Sequence, residues 1–285
     1  MQPTAFDYHR PDTLEEAIDL LSSVDGARAL AGGHSLLPAM KLRLSNPAAL
    51  VDVGRIPGLA AITASNGHIE IGGLTTHAEI EHSELVATQC AVLSDAAATI
   101  GDPAVRNRGT IGGSLAHADP AADFPTVIVA LGAKITAQGK DGAREISGEE
   151  FFRGLFATAL AEDEIITSVH VPALGSGSGS AYIKHKHPAS GYAVVGVAAV
   201  VHQDGGSISD ARVAIGGATA NPELVDASGL TGGAATEDGI AAVAAAVGEA
   251  ISDPIGDVYA SGEYRVHLAG VLTKRALQRA IERAG

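Results

Sequence analysis

Two stretches of this chain place paired glycines just ahead of a hydroxyl side chain. One is Leu30-Ala-Gly-Gly-His-Ser-Leu-Leu37; the other is Gly109-Thr-Ile-Gly-Gly-Ser-Leu-Ala116. Glycine lets the backbone reach positive φ and lets a ligand approach where a Cβ would stand. Successive N–H groups in such a turn form an anion-binding nest, and a helix starting at Ser35 would add its free N–H groups and dipole. Two such turns suggest a pyrophosphate held from both sides, and a branched side chain at Gly33 would fill the nest. Each turn alone also reads as a plain strand-ending turn. Neither is Gly-x-Gly-x-x-Gly and neither is followed by the lysine of a P-loop.

Other residues offer other chemistry. Gly33-His-Ser-Leu-Leu37 is close to a nucleophile elbow, with Leu37 where the second glycine belongs. A serine hydrolase using Ser35 is therefore one alternative, with His185, His187, His202 and His267 as possible bases. His117, Asp119 and Asp123 are metal-ligand types, but their spacing around Pro120 does not share a helical face, and a hydrogen-bonding aspartate is the blander reading. His185 and His187 alternate with Lys184 and Lys186 and read as a basic patch. His77 and His82 are five apart and miss the His-Glu-x-x-His pattern. Tyr192, after the loop His187-Pro-Ala-Ser-Gly191, is either a strand-edge aromatic or a ring packed near a planar ligand.

Composition narrows the classes. The chain has 285 residues, a formal charge of −14, 18% charged and 46% hydrophobic residues, and one cysteine. That is enough apolar chain for more than one core. The acidic balance argues against a nucleic-acid partner, which is held by Lys and Arg; it does not forbid a phosphate ligand, because charges beyond a Debye length of ~8 Å are largely screened. The single Cys90 excludes an internal disulfide and a cysteine-ligated iron–sulfur cluster within the chain. The longest strongly apolar stretch, Ala193–Val201, is too short for a transmembrane segment. The start, Met1–Asp7, lacks the basic and apolar regions of a signal peptide. The expectation is a soluble cytoplasmic protein.

The elements that must position these residues follow from periodicity. Thr13 and Glu16 have capping-box spacing ahead of a helix carrying Leu14, Ala17, Ile18 and Leu21. Ala27–Ala31 reads as a short buried strand, Leu36 to Leu44 as a helical turn or two, and Leu50–Val53 as a strand. Further on, His68–Ile71 alternates, Thr76–Glu81 opens a polar helix, and Leu85–Ile100 reads as one alanine-rich helix. Gly109–Leu115 reads as a turn; Ala133–Ala137 and Ile165–Val171 read as strands. Gly175–Ser180 has linker composition, with a surface loop inside one domain as the alternative. Ala193–Val201 and Ala211–Ile215 read as strands, and Ile240–Ile251 and Val266–Ile281 as helices. No internal repeat is present. The expected division is 1–55, 56–174 and 175–285.

The two glycine motifs, extended to Ala31–Arg43 and Thr110–Asp123, closely resemble the paired FAD-binding motifs of the molybdenum hydroxylases. The chain resembles the medium, FAD-binding subunit of the carbon monoxide dehydrogenase/xanthine dehydrogenase family over nearly its whole length. Gly73–His77, Val105–Gly109, Lys184–Ala193, Val213–Gly217 and Tyr264-Arg265 fit the same pattern. The resemblance implies a mixed α+β and α/β chain: an FAD-binding fold of the vanillyl-alcohol-oxidase (PCMH) type with a C-terminal sheet-plus-helices domain. It implies cofactor contacts from Ala31, Gly32, Gly33, His34, Ser35 and Leu36 on one side of the pyrophosphate. Thr110, Ile111, Gly113 and Ser114 would close the other side. Asp123 would take ribose hydroxyls, Ile166 would pack on the flavin region, Lys184 would be a polar contact near the isoalloxazine, and Tyr192 would sit at the ring and gate acceptor access. Electrons would come from two [2Fe–2S] clusters on a small iron–sulfur subunit, fed by a molybdenum cofactor on a large subunit, and leave to an external electron acceptor. The assembly would be a heterotrimer, doubled by analogy. A single-component flavin oxidase and a non-catalytic module that has lost its cofactor remain as alternatives.

Overall fold

The structure, a computed structural model, describes residues 2–285; Met1, where the expected leader-free start and first unit begin, lies outside the described residues. The first 55 residues form β1 (Asp7–His9), α1 (Leu14–Ser23), β2 (Ala27–Leu30), α2 (Leu36–Lys41) and β3 (Ala49–Asp52), with the three strands parallel in the order β1–β3–β2. The Thr13 hydroxyl accepts the Glu16 N–H, while the Glu16 carboxylate accepts from Asp12 rather than Thr13. The helix buries Ala17, Ile18 and Leu21 against Val51 and Val53. β2 is not the buried strand that its apolar run suggests: Arg28 and Ala29 are exposed, because β2 is an edge strand. α2 stops at Lys41, and Leu44 beyond it is exposed.

The middle region carries β4 (Ile62–Ser65), β5 (His68–Gly72), α3 (His77–His82), α4 (Glu84–Gln89), α5 (Ala91–Thr99), α6 (Pro103–Arg106), α7 (Ile111–His117) and α8 (Asp123–Ala130). It continues with β6 (Lys134–Gly139), β7 (Gly142–Ser147), α9 (Gly148–Phe151), β8 (Phe152–Gly154), β9 (Ala157–Thr158) and β10 (Ile165–Pro172). Its five-stranded sheet is antiparallel throughout, in the order β4–β5–β10–β6–β7. Two expectations change here. The segment 85–100 is two helices, because Cys90 leaves helical angles (φ −159°, ψ 62°) and caps both. The glycine-rich 109–115 is not a turn: a helix starts at Ile111 under the Thr110 cap.

The last region is the antiparallel meander β11 (Ser178–Lys186), β12 (Ala193–Asp204), β13 (Ser207–Gly216) and β14 (Glu223–Val225), followed by α10 (Glu237–Ala250) and α11 (Gly262–Ala284). Its sheet is covered on both faces. Ala198, Val200 and Ala214 join the middle core beside α5 and α8, while Val197, Ala199, Val201 and Ile215 join the core under α10 and α11. Double coverage is why β12 reads as an unbroken apolar run. The Gly175–Ser180 run is only half linker. Ser178–Ser180 lie in β11, where Gly179 lets α11 approach so closely that a Cβ would strike the Ala280 carbonyl. Among the described residues no helix is long and apolar enough to cross a membrane.

Candidate functional site

The first glycine turn leaves the C-terminal end of β2. Gly33 has φ +76°, a left-handed conformation that suits glycine. The Leu37 N–H returns to the Gly33 carbonyl and Pro38 has none to give. The N–H groups of Gly33, His34, Ser35 and Leu36 donate to no group among the described residues, and the Ser35 hydroxyl makes no capping bond. Four consecutive donors without acceptors at a helix start are an arrangement that can receive an anion. The reason for Gly33 is different from the one expected. A Cβ there would meet the Leu37 and Leu30 side chains at 2.9 and 3.3 Å, so a valine fails by backbone strain and crowding behind the turn.

The second glycine turn is not a nest. Thr110 caps α7, its hydroxyl accepting from Gly113 at 3.1 Å and its carbonyl from Ser114 at 3.0 Å. The Ile111 N–H goes to the Thr75 carbonyl (3.0 Å) and the Gly112 N–H to the Gly73 carbonyl (2.9 Å). All four first-turn donors are consumed. Glycine serves packing here: a Cβ at Gly112 would sit 2.6 Å from the Gly73 carbonyl oxygen. What this turn offers a ligand is side chain, the half-buried Ser114 and the Thr110 O–H, and support. Gly32 packs so tightly on Arg108 and Gly109 that a Cβ would strike the Arg108 carbonyl, and a Cβ at Gly113 would lie 3.9 Å from that of Ala31. The two motifs thus meet backbone to backbone.

Behind that junction lies His77. Its N–H donates to the Gly109 carbonyl at 2.9 Å and its ring lies against Gly109 and Phe124. Burial, with the nearby charges of His34 and Arg106, lowers its pKa to about 4, so it is neutral at pH 7. Gly73, Thr75 and His77 belong to one segment that accepts from or donates to the second turn. Sequence reasoning noticed it only through the family resemblance, because backbone acceptors leave no residue-type signal.

Asp123 opens α8 and is buried. Its Oδ1 accepts from the Tyr182 hydroxyl at 2.7 Å, and Lys184 Nζ reaches its two oxygens at 2.9 and 3.0 Å. Burial raises the Asp123 carboxyl, opposed by the Lys184 charge and the two hydrogen bonds. Burial, then the Asp123 charge, pushes the Tyr182 phenol well up. Lys184 also donates to the Thr99 carbonyl at 2.9 Å and is buried. Lys184, expected as a polar contact near the isoalloxazine, is the buried partner of Asp123. Tyr182 was missed: alternation along a strand gives no hint that its hydroxyl meets a carboxylate 59 residues away. Three bonds on a carboxylate leave lone-pair capacity for one more donor.

Tyr192 comes from the third region and is 42% exposed; partial burial and the Asp119 charge raise its pKa, a hydrogen bond with the Ser35 side chain opposes the rise, and the Asp123 charge adds to it. Ile166 is buried at an irregularity of β10, its carbonyl lying against Gly73, while the neighbouring Ile165 joins the N-terminal core. Asp119 accepts from the Ala121 N–H, the blander of its two readings.

Residues 4–174 match the FAD binding domain in molybdopterin dehydrogenase, and residues 180–280 match the CO dehydrogenase flavoprotein C-terminal domain. The chain belongs to the FAD-binding medium subunits of the molybdenum hydroxylases. It is 40% identical to subunit alpha of the 6-hydroxypseudooxynicotine dehydrogenase complex of Paenarthrobacter nicotinovorans, covering 100% of this chain and 97% of that protein. It is 38% identical to the carbon monoxide dehydrogenase medium chain of Hydrogenophaga pseudoflava, with 98% of each covered. A solved carbon monoxide dehydrogenase chain from Hydrogenophaga pseudoflava superimposes with a TM-score of 0.96 at 38% identity over the full length of both. This member of the family is thus an oxidoreductase subunit with an FAD-binding domain. The hydrolase alternative finds no support: Ser35 sits on the right-handed helical side of backbone space (φ −108°, ψ −51°), not in a strained left-handed elbow.

Proposed function

We propose that the Gly33–Leu36 donors and the Ser35 hydroxyl hold the FAD pyrophosphate, and that Gly32 and Ala31 seat that turn on the second motif. Thr110 and Ser114 present hydroxyls, with Ile111 and Gly113 shaping the wall; Asp123 takes a ribose hydroxyl; Ile166 and Tyr192 border the flavin. The bound flavin supplies two-electron and one-electron redox chemistry, and the chain supplies its position and surroundings. Electrons come from [2Fe–2S] clusters of a small partner subunit, fed by a large molybdenum subunit, and pass to an external acceptor. The setting is cytoplasmic, and the units 1–55, 56–174 and 175–285 are its working divisions.

The observation that carries this reading is the run of four unspent backbone donors at the start of α2, beside a second glycine turn whose first-turn donors are all bonded. The relatives add a second support. Proteins of similar identity to this chain are named for carbon monoxide, nicotine and glyceraldehyde. Such a spread fits a substrate pocket on another polypeptide. The test is to release and quantify yellow cofactor from the purified chain. FAD near one per chain supports the reading, and a colourless chain that refuses added FAD refutes it. Substrate oxidation by this chain without partners would favour a single-component oxidase.

A further inference from the structure

Tyr192 rides on a short loop that is tied down from several sides. The His187 N–H donates to the Tyr192 carbonyl (2.8 Å) and the Gly191 N–H to the His187 carbonyl (2.9 Å). The N–H groups of Ala189 and Ser190 both point at His187 Nδ1, at 3.2 and 3.3 Å. Nδ1 is therefore the acceptor nitrogen of that ring. The same ring meets Tyr259 edge-on, with centroids 4.5 Å apart.

Tyr259 lies in the turn before α11, and Asp257 shapes that turn. Its Oδ1 accepts from the Tyr259 and Ala260 N–H groups at 2.8 Å each, and its Oδ2 accepts from Arg265 at 2.6 Å. Arg265 is buried in the opening turns of α11. A cation there opposes the helix dipole, so helix stability does not explain it. Its other contacts do. One guanidinium nitrogen donates to the carbonyls of Val194 and Gly217, both at 2.7 Å. Val194 is two residues from Tyr192. The Gly217 N–H goes to the Pro120 carbonyl (2.9 Å) and the Ala193 N–H to the Ala121 carbonyl (3.1 Å), in the turn that precedes Asp123. Both branches of the network end on the residues flanking Tyr192.

We infer that Arg265, Asp257, Tyr259 and His187 are positioning residues for Tyr192. They hold the 187–192 loop in the conformation that sets its ring beside Ser35, and so fix how an external electron acceptor approaches the flavin. The inference rests on the proposed placement of the flavin at Tyr192. A loop with Gly191 at φ +74° has many conformations to lose on ordering, and the aromatic pair and the ion pair offset that loss.

The test uses Tyr259→Leu, which leaves the buried guanidinium and its ion pair in place, and Asp257→Asn, which removes the charge paired with Arg265, in the full chain and in the assembled complex. Amide hydrogen exchange is followed at His187, Gly191 and Ala193. FAD per chain, flavin reduction by substrate, and KM for a soluble tetrazolium dye are measured alongside. Loss of one aromatic pair predicts exchange at His187 and Gly191 faster by roughly three- to tenfold. FAD content and flavin reduction stay unchanged, and the dye KM rises by a similar factor. In a Tyr192→Leu background Tyr259→Leu adds nothing further to KM. Unchanged exchange, or an equal KM change without Tyr192, overturns the inference. A chain that takes up no FAD refutes the flavin placement instead, and exchange measured on that same chain still decides whether the network orders the loop.

Discussion

Replacing Gly32 by alanine adds one methyl group where the two glycine turns touch. The new Cβ would run into the Arg108 carbonyl oxygen and stand 2.7 Å from its carbon and 2.9 Å from Gly109 Cα. Carbon atoms in ordinary contact keep about 3.5 Å or more, and the carbonyl oxygen lies closer still, so the turns must part by roughly 1 Å or more. Both partners are backbone, so no flexible side chain can yield. Overpacking of this kind costs about 1–3 kcal/mol of stability. The larger effect falls on the ligand. The Gly33–Leu36 donors move with the turn, and losing one hydrogen bond to a charged phosphate costs about 1.5–3 kcal/mol, roughly 10- to 150-fold in Kd. The assay is FAD per purified chain and Kd by flavin fluorescence, with Tm measured in parallel. Gly229→Ala is the control, since nothing lies within 4 Å of a Cβ there. Gly32→Ala binding FAD with the parent Kd would refute the argument, as would an equal loss in Gly229→Ala.

Three further outcomes follow from the same geometry. Lys184→Met strands the buried Asp123 carboxylate, lowering stability by about 3–5 kcal/mol; urea melts check this, and Asp123→Leu added to it recovers part of the loss. His77 titrates near 4 when folded against 6.5 when unfolded. The unfolded chain binds the extra proton between these values, so stability is full above pH 6.5 and falls as pH drops towards 4, by about 3 kcal/mol in all. His77→Asn lacks that share of the acid limb, read as the difference between urea melts at pH 7.5 and 4.5. Gly179→Ala drives a methyl into the Ala280 carbonyl and to 2.6 Å from the Ala284 N–H, displacing α11 at a cost of about 1–3 kcal/mol, visible in calorimetry.

Much of the fold was legible because local signals agreed with the final packing. The long helices α10 and α11 and the strands β5, β10, β12 and β13 follow from apolar period and run length. The failures share one cause. Arg28 and Ala29 are exposed because β2 has a neighbour on one side only, a fact about sheet order. Cys90 breaks the 85–100 helix without any glycine or proline to mark it. Ser178–Ser180 look like linker until α11, a hundred residues later, needs a strand without side-chain bulk beside it.

The two glycine motifs show the same limit at the site itself. Read as residues they are near twins, each a Gly-Gly pair with a serine close behind. In the structure they do opposite things. The first keeps its donors free because Gly33 turns the chain away from β2 and no carbonyl among the described residues faces them. The second loses every donor, because Gly73 and Thr75 supply carbonyls and Thr110 folds back as a cap. What separates a ligand cradle from a packing joint is therefore not the glycines but which acceptors the rest of the chain brings to them. Those acceptors are backbone carbonyls from a segment some 35 residues earlier, and a carbonyl is present at every position of every sequence. Only topology selects the ones that matter, and here it selects them so that one turn is spent making the other rigid.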